Sequence, residues 1–124
     1  MKKTLLIAVY AVFVLMFFST AHGEDVNFSG DIQPFFTSKC KRCHGGFFPS
    51  AGLDLTTWDA YKNIVNVKSK KADGLLVSPG DSAKSVLYLR ITGTSAGKLM
   101  PPGKNVMPQN VKVKEWIDQG AMNN

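Results

Sequence analysis

The segment Cys40-Lys41-Arg42-Cys43-His44 constrains the fold of this chain more than any other feature. Two thiols separated by two residues, with an imidazole directly after them, are typical of the attachment site of a c-type haem. In such a site the thiols are joined to the porphyrin as thioethers, and His44 becomes the proximal ligand of the iron. We therefore expect one covalently bound haem c, with the polypeptide folded around it.

Three other kinds of site can contain a Cys-x-x-Cys pair: a structural disulfide, a redox-active dithiol and half of a zinc site. A closed zinc site needs four ligands, and the only other histidine of the chain is His22. A redox-active dithiol would follow a strand of a βαβ unit, and no strand pattern precedes Cys40. A disulfide would explain both cysteines but leave His44 without a role. The haem site is the interpretation that uses all three residues.

Residues 1–23 have the pattern of a secretory signal peptide, with two lysines at the start, an apolar run and then small residues. The apolar run, residues 5–18, is shorter than the roughly 20 residues of a spanning helix, so an uncleaved membrane anchor is the less favoured alternative. Cleavage after Gly23 would leave residues 24–124 as a single domain, and cleavage after Ala21 is the alternative. This pattern predicts export to the periplasm, where haem is attached to such motifs.

Charge and composition favour protein partners. The chain has 15 Lys and Arg, two of them in the signal segment, against 9 Asp and Glu. Near the cysteines the basic residues can form a collar around the haem edge that steers acidic docking surfaces of redox partners, although ordinary solvated lysines would look the same. Nucleic-acid binding is not expected, because basic and aromatic residues do not interleave. The residues of this basic collar are Lys39, Lys41, Arg42, Lys98 and Lys104.

The mature region has the pattern of an all-α domain with four short helices and long loops. Loops of this length are unusual in a compact domain unless something else organises them, which agrees with a bound haem. The predicted helices are one capped by Ser29-Gly30-Asp31, one that starts at Thr56 or Thr57, one from Ala83 to Ile91 that Asp81 or Ser82 caps and Gly93 ends, and one from Gln109 to Gln119 that Gly120 ends.

The distal iron ligand has to be a methionine if the iron is held on both faces, because no second histidine remains after cleavage. Met100 is favoured, since Pro101 disfavours helical backbone before it and stiffens the loop. Met107 is the fallback, because it also precedes a proline but could pack at the start of the last helix. Met122 lies near the end of the sequence, where we expect it to be exposed.

Several sequence blocks in order between residues 30 and 121 resemble a class I mono-haem cytochrome c, and most closely the planctomycete-type cytochrome c domain. The blocks are Ile32-Gln33-Pro34-Phe35-Phe36, Cys40-Lys41-Arg42-Cys43-His44, Gly52-Leu53-Asp54-Leu55-Thr56, Val77-Ser78-Pro79-Gly80-Asp81, Ser85-Val86-Leu87-Tyr88, Leu99-Met100-Pro101-Pro102-Gly103 and Trp116-Ile117-Asp118-Gln119-Gly120-Ala121.

The resemblance implies a small cytochrome c-like fold around one haem, with Met100 as distal ligand. It also implies that the first and last helices cross, with Phe36 against Trp116. One departure is Ile32, at a position where many class I cytochromes have glycine, so the crossing is expected to be wider or differently angled.

Other side chains could lie around the expected pocket. Phe47, Phe48, Trp58 and Tyr88 either line the pocket or, as we favour for each, pack in the core. Arg90 could pair with a haem propionate or be an ordinary surface arginine. The second nitrogen of the His44 ring should donate a hydrogen bond to a main-chain carbonyl, for which we expect the 47–51 loop.

The function expected from these observations is that of a periplasmic electron carrier without catalysis of its own. Two alternatives stay open. One is an electron-entry subunit of a larger oxidoreductase, whose haem chemistry would be identical. The other is a gas-binding or peroxidase-like haem domain, which would need an open distal site. The plausible methionine ligand argues against the second alternative.

Overall fold

The computed structural model describes residues 23–103 and 105–124, and within them the chain is mostly helical and loop. These residues contain no β-strand, only two isolated bridges, so the predicted all-α domain of four helices is confirmed. The four helices are α1 (Gln33–Lys39), α2 (Ala60–Ile64), α3 (Val86–Thr92) and α4 (Asn110–Asp118). The shorter helical turns are π-helical Phe28–Ile32 and 3₁₀-helical Ser50–Gly52 and Ser82–Lys84.

The predicted signal peptide lies outside the described residues except for its last residue, Gly23. In the part of the chain that the structure describes, no helix has both the length and the apolar character needed to cross a membrane.

The first helical segment begins earlier than the sequence predicts. Asn27, rather than the Ser29-Gly30-Asp31 segment, caps the π-helical turn, because its Oδ1 accepts a hydrogen bond from the Gly30 N–H at 2.8 Å. Asp31 contributes in the reverse direction, since its Oδ2 accepts a bond from the Asn27 N–H at 3.0 Å. The two side chains satisfy backbone donors at the start of the segment, as in a capping box.

The core is built around Trp116 on α4, which has no exposed surface. Its aromatic neighbours are Phe28, with ring centroids 5.3 Å apart, and Tyr61 at 6.3 Å. Phe36 is also fully buried, but its ring pairs with Phe28 at 6.4 Å. Phe36 and Trp116 thus share one buried core, and Phe28 is the ring neighbour of both. The π-helical turn packs against α4, and its Phe28 and fully buried Ile32 belong to the same core as Trp116.

The third predicted helix is divided in two at Ser85, whose backbone is extended (φ −85°, ψ 112°). The Ser85 hydroxyl is fully buried, donates to the Asp81 carbonyl at 2.9 Å and accepts from the Ser78 N–H at 2.9 Å. These bonds fold residues 78–85 into a compact turn in which Asp81 caps only the short 3₁₀ segment. The predicted stop is confirmed, since Gly93 ends α3 with φ 68°.

The turn over residues 78–85 also joins α3 to α4. The Gly80 N–H donates to the Ile117 carbonyl at 2.7 Å, and the Ser82 N–H donates to Asp118 Oδ1 at 3.0 Å. The last helix agrees with its predicted limits to within a residue and ends before Gly120. This turn therefore fixes the position of α3 on the core, and α3 contributes one wall of the site described below.

Three aromatic side chains are located differently from the prediction. Phe47, Phe48 and Trp58 are 98%, 97% and 100% exposed, so they belong neither to the core nor to a pocket. Trp58 precedes α2, which starts only at Ala60, and therefore lies outside the helix that was expected to bury it. Tyr88 is partly buried and packs against the core, as favoured for it.

Candidate haem site

A cavity of about 370 Å³ opens between α1, α3 and the loops that follow the cysteine motif. It brings Met100 together with Cys40 and His44, which lie far from it in sequence. Cys43 does not line it and is exposed. Volumes of about 300–1,000 Å³ are usual for cofactor pockets. The apolar side chains in the wall are Phe36, Ala51, Leu53, Leu55, Val67, Leu76, Val86, Leu87 and Ile91.

The cysteine motif continues the last turn of α1, which determines where its side chains lie. The Cys40 N–H donates to the Phe36 carbonyl at 2.8 Å, and the His44 N–H donates to the Cys40 carbonyl at 2.8 Å. The side chains of Cys40 and His44 therefore both face the cavity that α1 borders. The two cysteines are not joined in a disulfide.

The imidazole of His44 is oriented by a main-chain carbonyl in the loop that follows the motif. Its Nδ1 lies 3.2 Å from the carbonyl oxygen of Leu53, which can accept a hydrogen bond from Nδ1–H. The expected acceptor in the 47–51 loop is thus wrong, and the actual one lies two residues beyond that loop. The Leu55 N–H also donates to the His44 carbonyl at 2.8 Å. Since Nδ1 is occupied, Nε2 remains as the nitrogen that can bind a metal.

The Cys40 thiol has the protonation behaviour of a buried neutral group. Burial raises its pKa to about 11, with a smaller contribution from the nearby Cys43 thiol. Redox-active dithiols have the opposite property, since their reactivity depends on a lowered pKa and a stable thiolate. The described residues also contain no group of three or more Cys, His, Asp or Glu side chains that could hold a metal ion.

The three candidate methionines differ clearly in location. Met100 lines the cavity. Met107 does not; it is partly buried and packs against the core before α4. Met122 is 60% exposed. Of these three methionines, only Met100 shares a cavity with His44, which favours Met100 over Met107.

Five cationic side chains lie on the cavity wall, and the sequence alone indicates only one of them, Arg90, as a candidate for the site. No Asp or Glu of the described residues lines the cavity, although Lys62 pairs with Asp59 outside it. A signal was present in the Lys68-Ser69-Lys70-Lys71 run, but nothing in the sequence connects this loop to the cysteine motif. Lys104, part of the expected collar, is outside the described residues. The five wall residues are Lys62, Lys68, Lys70, Lys71 and Arg90.

The residues present fit a haem. The cavity has a mostly apolar wall, a neutral thiol and an imidazole with a free Nε2 on one side, a methionine among its lining residues, and cations that can balance carboxylate groups. The family model described as planctomycete cytochrome C matches residues 40–104, more than half of the chain. The chain belongs to the planctomycete cytochrome C family. Neither a curated protein nor a solved structure matches it.

Membership in this family defines the broad function of the cytochrome. It is a c-type haem protein, and its family functions in haem-based electron transfer. The matched segment starts at Cys40 and extends past Met100, so it includes the whole cysteine motif and the loop of the candidate distal ligand.

Proposed function

We propose that this cytochrome is a periplasmic electron carrier that holds one haem c with His44 and Met100 as axial ligands and has no catalytic activity of its own. The single observation that carries the proposal is the cavity lined jointly by Cys40, His44 and Met100. Cys40 and Cys43 would be the thioether attachment points. When bound, the haem supplies a one-electron iron couple.

The residues of the chain favour electron transfer over binding of an exogenous ligand. The hydrogen bond from His44 Nδ1 to Leu53 would fix the ring and raise the basicity of Nε2. A methionine on the opposite side would close the distal position and raise the reduction potential relative to two imidazoles. The apolar side chains exclude water from the pocket. The lysines of the wall, Lys68, Lys70 and Lys71 among them, would balance the propionate groups.

The partners are expected to be redox proteins with acidic docking surfaces. Lys39, Lys41 and Arg42 lie directly beside the attachment cysteines, and Lys41 and Arg42 are exposed. A positive surface of this kind accelerates association with an acidic partner in a salt-dependent way. A free carrier and an electron-entry subunit of a larger oxidoreductase would share this surface, and co-purification with a membrane complex would distinguish them. Export through the predicted signal peptide is part of the proposal.

The test of the ligand assignment compares Met100→Ala with Met107→Ala in the haem-loaded protein. We expect Met100→Ala to abolish the methionine–iron charge-transfer band of the ferric protein and to lower the reduction potential, while Met107→Ala keeps both properties. The opposite result would transfer the ligand role to Met107.

Two further measurements test the rest of the proposal. Haem that remains on the polypeptide in a denaturing gel is expected for thioether attachment, and its loss would contradict the roles of Cys40 and Cys43. The reduced protein should not bind carbon monoxide readily, because the distal position is occupied. Rapid binding would instead favour the gas-binding or peroxidase-like alternative.

A further inference from the structure

The segment that carries Met100 is attached to the end of α3 through one residue. The Met100 N–H donates to the carbonyl oxygen of Arg90 at 2.9 Å. The guanidinium of the same residue donates through Nη1 to the Lys98 carbonyl at 3.3 Å. Among the hydrogen bonds of the described residues, these are the two that connect residues 95–103 to the rest of the chain.

The guanidinium also packs closely against Gly97. A Cβ at Gly97 would lie 2.9 Å from Arg90 Cζ and 3.0 and 3.1 Å from its two terminal nitrogens, so the contact is possible only with glycine. Gly97 has φ 110°, a conformation that side chains with a Cβ rarely adopt. The Arg90 side chain thus packs against the loop backbone at Gly97 and Lys98.

Arg90 is also suitably located for a structural role at the cavity. It lies in the last turn of α3, and its side chain is one of the lining residues together with Met100. Leu99 gives the loop a second, apolar contact, because its Cβ is 3.3 Å from where a Cβ of Gly93 would be. The loop therefore rests on the end of α3, and Arg90 supplies its polar attachment.

We propose that Arg90 is a positioning residue for the distal ligand: its carbonyl and its guanidinium together hold the 97–100 segment so that Met100 stays at the cavity. The inference rests on the proposed function, in which Met100 binds the iron. Without the guanidinium, the main-chain bond to Met100 remains, but the loop opens more often. Because a ligand that binds only the open state has an apparent affinity proportional to the population of that state, added imidazole reports on the opening.

The experiment measures imidazole binding to the ferric, haem-loaded protein and amide hydrogen exchange of residues 97–100 and 103. Arg90→Met keeps most of the stem but removes the donors. We expect it to bind imidazole about tenfold more tightly than the wild type, the size of effect that follows from losing one hydrogen bond from a charged group. Exchange in the loop should accelerate by a similar factor.

The matched control is Lys98→Met, which removes one positive charge from the same loop but keeps the carbonyl that accepts the Arg90 bond. We expect it to leave imidazole affinity and amide exchange unchanged. Arg90→Lys keeps the charge without the planar guanidinium and should behave like Arg90→Met. Gly97→Ala, which displaces the guanidinium from the opposite side, provides a second variant with the same expected direction if Arg90→Met does not fold.

Several outcomes would overturn the inference. Unchanged imidazole affinity in both Arg90→Met and Gly97→Ala would remove the positioning role. Full recovery in Arg90→Lys, or an equal effect of Lys98→Met, would show that charge alone accounts for the change, as in pairing with a propionate. The proposed function is tested separately by Met100→Ala. If Met100→Ala binds imidazole no more tightly than the wild type, Met100 is not the ligand. If Met100→Ala binds imidazole more tightly but Arg90→Met does not, only the role of Arg90 is contradicted.

Discussion

Gly45, the residue after the proximal histidine, has no space for a side chain. A Cβ at this position would lie 2.8 Å from Thr56 Oγ1, 3.0 Å from Thr56 Cγ2 and 3.0 Å from the Lys41 carbonyl oxygen. Thr56 cannot move away easily, because its N–H and hydroxyl both donate to Asp54 Oδ1, at 2.7 and 3.0 Å. We therefore predict that Gly45→Ala destabilises the protein by forcing apart two segments that meet beside His44.

The magnitude follows from two opposing effects. Overpacking a well-filled site costs about 1–3 kcal/mol. Replacing a glycine that does not have positive φ stabilises by about 0.4–1 kcal/mol, because the unfolded chain loses conformational freedom. The net loss in unfolding free energy is therefore about 1–2 kcal/mol. For a domain of about 100 residues this lowers the melting temperature by about 5–15 °C.

Urea unfolding of the haem-loaded protein, followed by far-ultraviolet circular dichroism, measures this change. Thr56→Ala removes two of the three close atoms, and alone it loses a hydrogen bond of about 1 kcal/mol. The double variant Gly45→Ala/Thr56→Ala should consequently be more stable than the sum of the single effects by about 1 kcal/mol.

The matched control is Gly30→Ala. Its new Cβ would have Asn27 Oδ1 at 3.4 Å as its nearest neighbour, which is ordinary contact. This control should therefore show only the gain of about 0.4–1 kcal/mol that comes from the unfolded chain. Additive effects of Gly45→Ala and Thr56→Ala, or a Gly45→Ala variant as stable as the control, would refute the steric argument.

Two further predictions concern the turn between α3 and α4. Ser85→Ala removes the buried hydroxyl that bonds to the main chain of residues 78 and 81, so we expect a loss of about 2 kcal/mol in urea unfolding. Asp118 is partly buried, which raises its pKa, but its hydrogen bonds from Lys114 and Ser82 outweigh burial and lower the pKa below 3.8 overall. Its carboxylate therefore stabilises the fold fully above pH 3.8, and the stability difference between wild type and Asp118→Asn should shrink as the pH falls below that value.

Each of these predictions has its own check. Ser95→Ala, at an exposed serine, is the control for Ser85→Ala and should be close to neutral; equal effects of the two would mean that the buried hydroxyl contributes nothing. For Asp118, unfolding free energies are measured at several pH values between 7 and 3. A difference between wild type and variant that stays constant over this range would show that the carboxylate is not perturbed by folding.

The local parts of the site could be predicted from the sequence because neighbouring residues determine them. The spacing of Cys40, Cys43 and His44 is itself the chemical requirement for haem attachment. The end of α3 at Gly93 follows from the left-handed backbone that glycine adopts readily. The fully buried Val113, Trp116 and Ile117 follow from helical periodicity on α4. The ligand roles of His44 and Met100 stay predictions, although both residues line one cavity.

Tertiary structure alone decided which distant segments meet. Phe28 packs near both Phe36 and Trp116, Leu53 accepts the hydrogen bond from His44, and Arg90 bonds to the methionine loop. No periodicity or motif encodes such pairings, because they depend on how loops far apart in sequence fold back on the core. Hydrophobicity alone could not distinguish the exposed Phe47 and Phe48 from core residues. Whether a loop side chain is buried depends on which other segments pack against the loop.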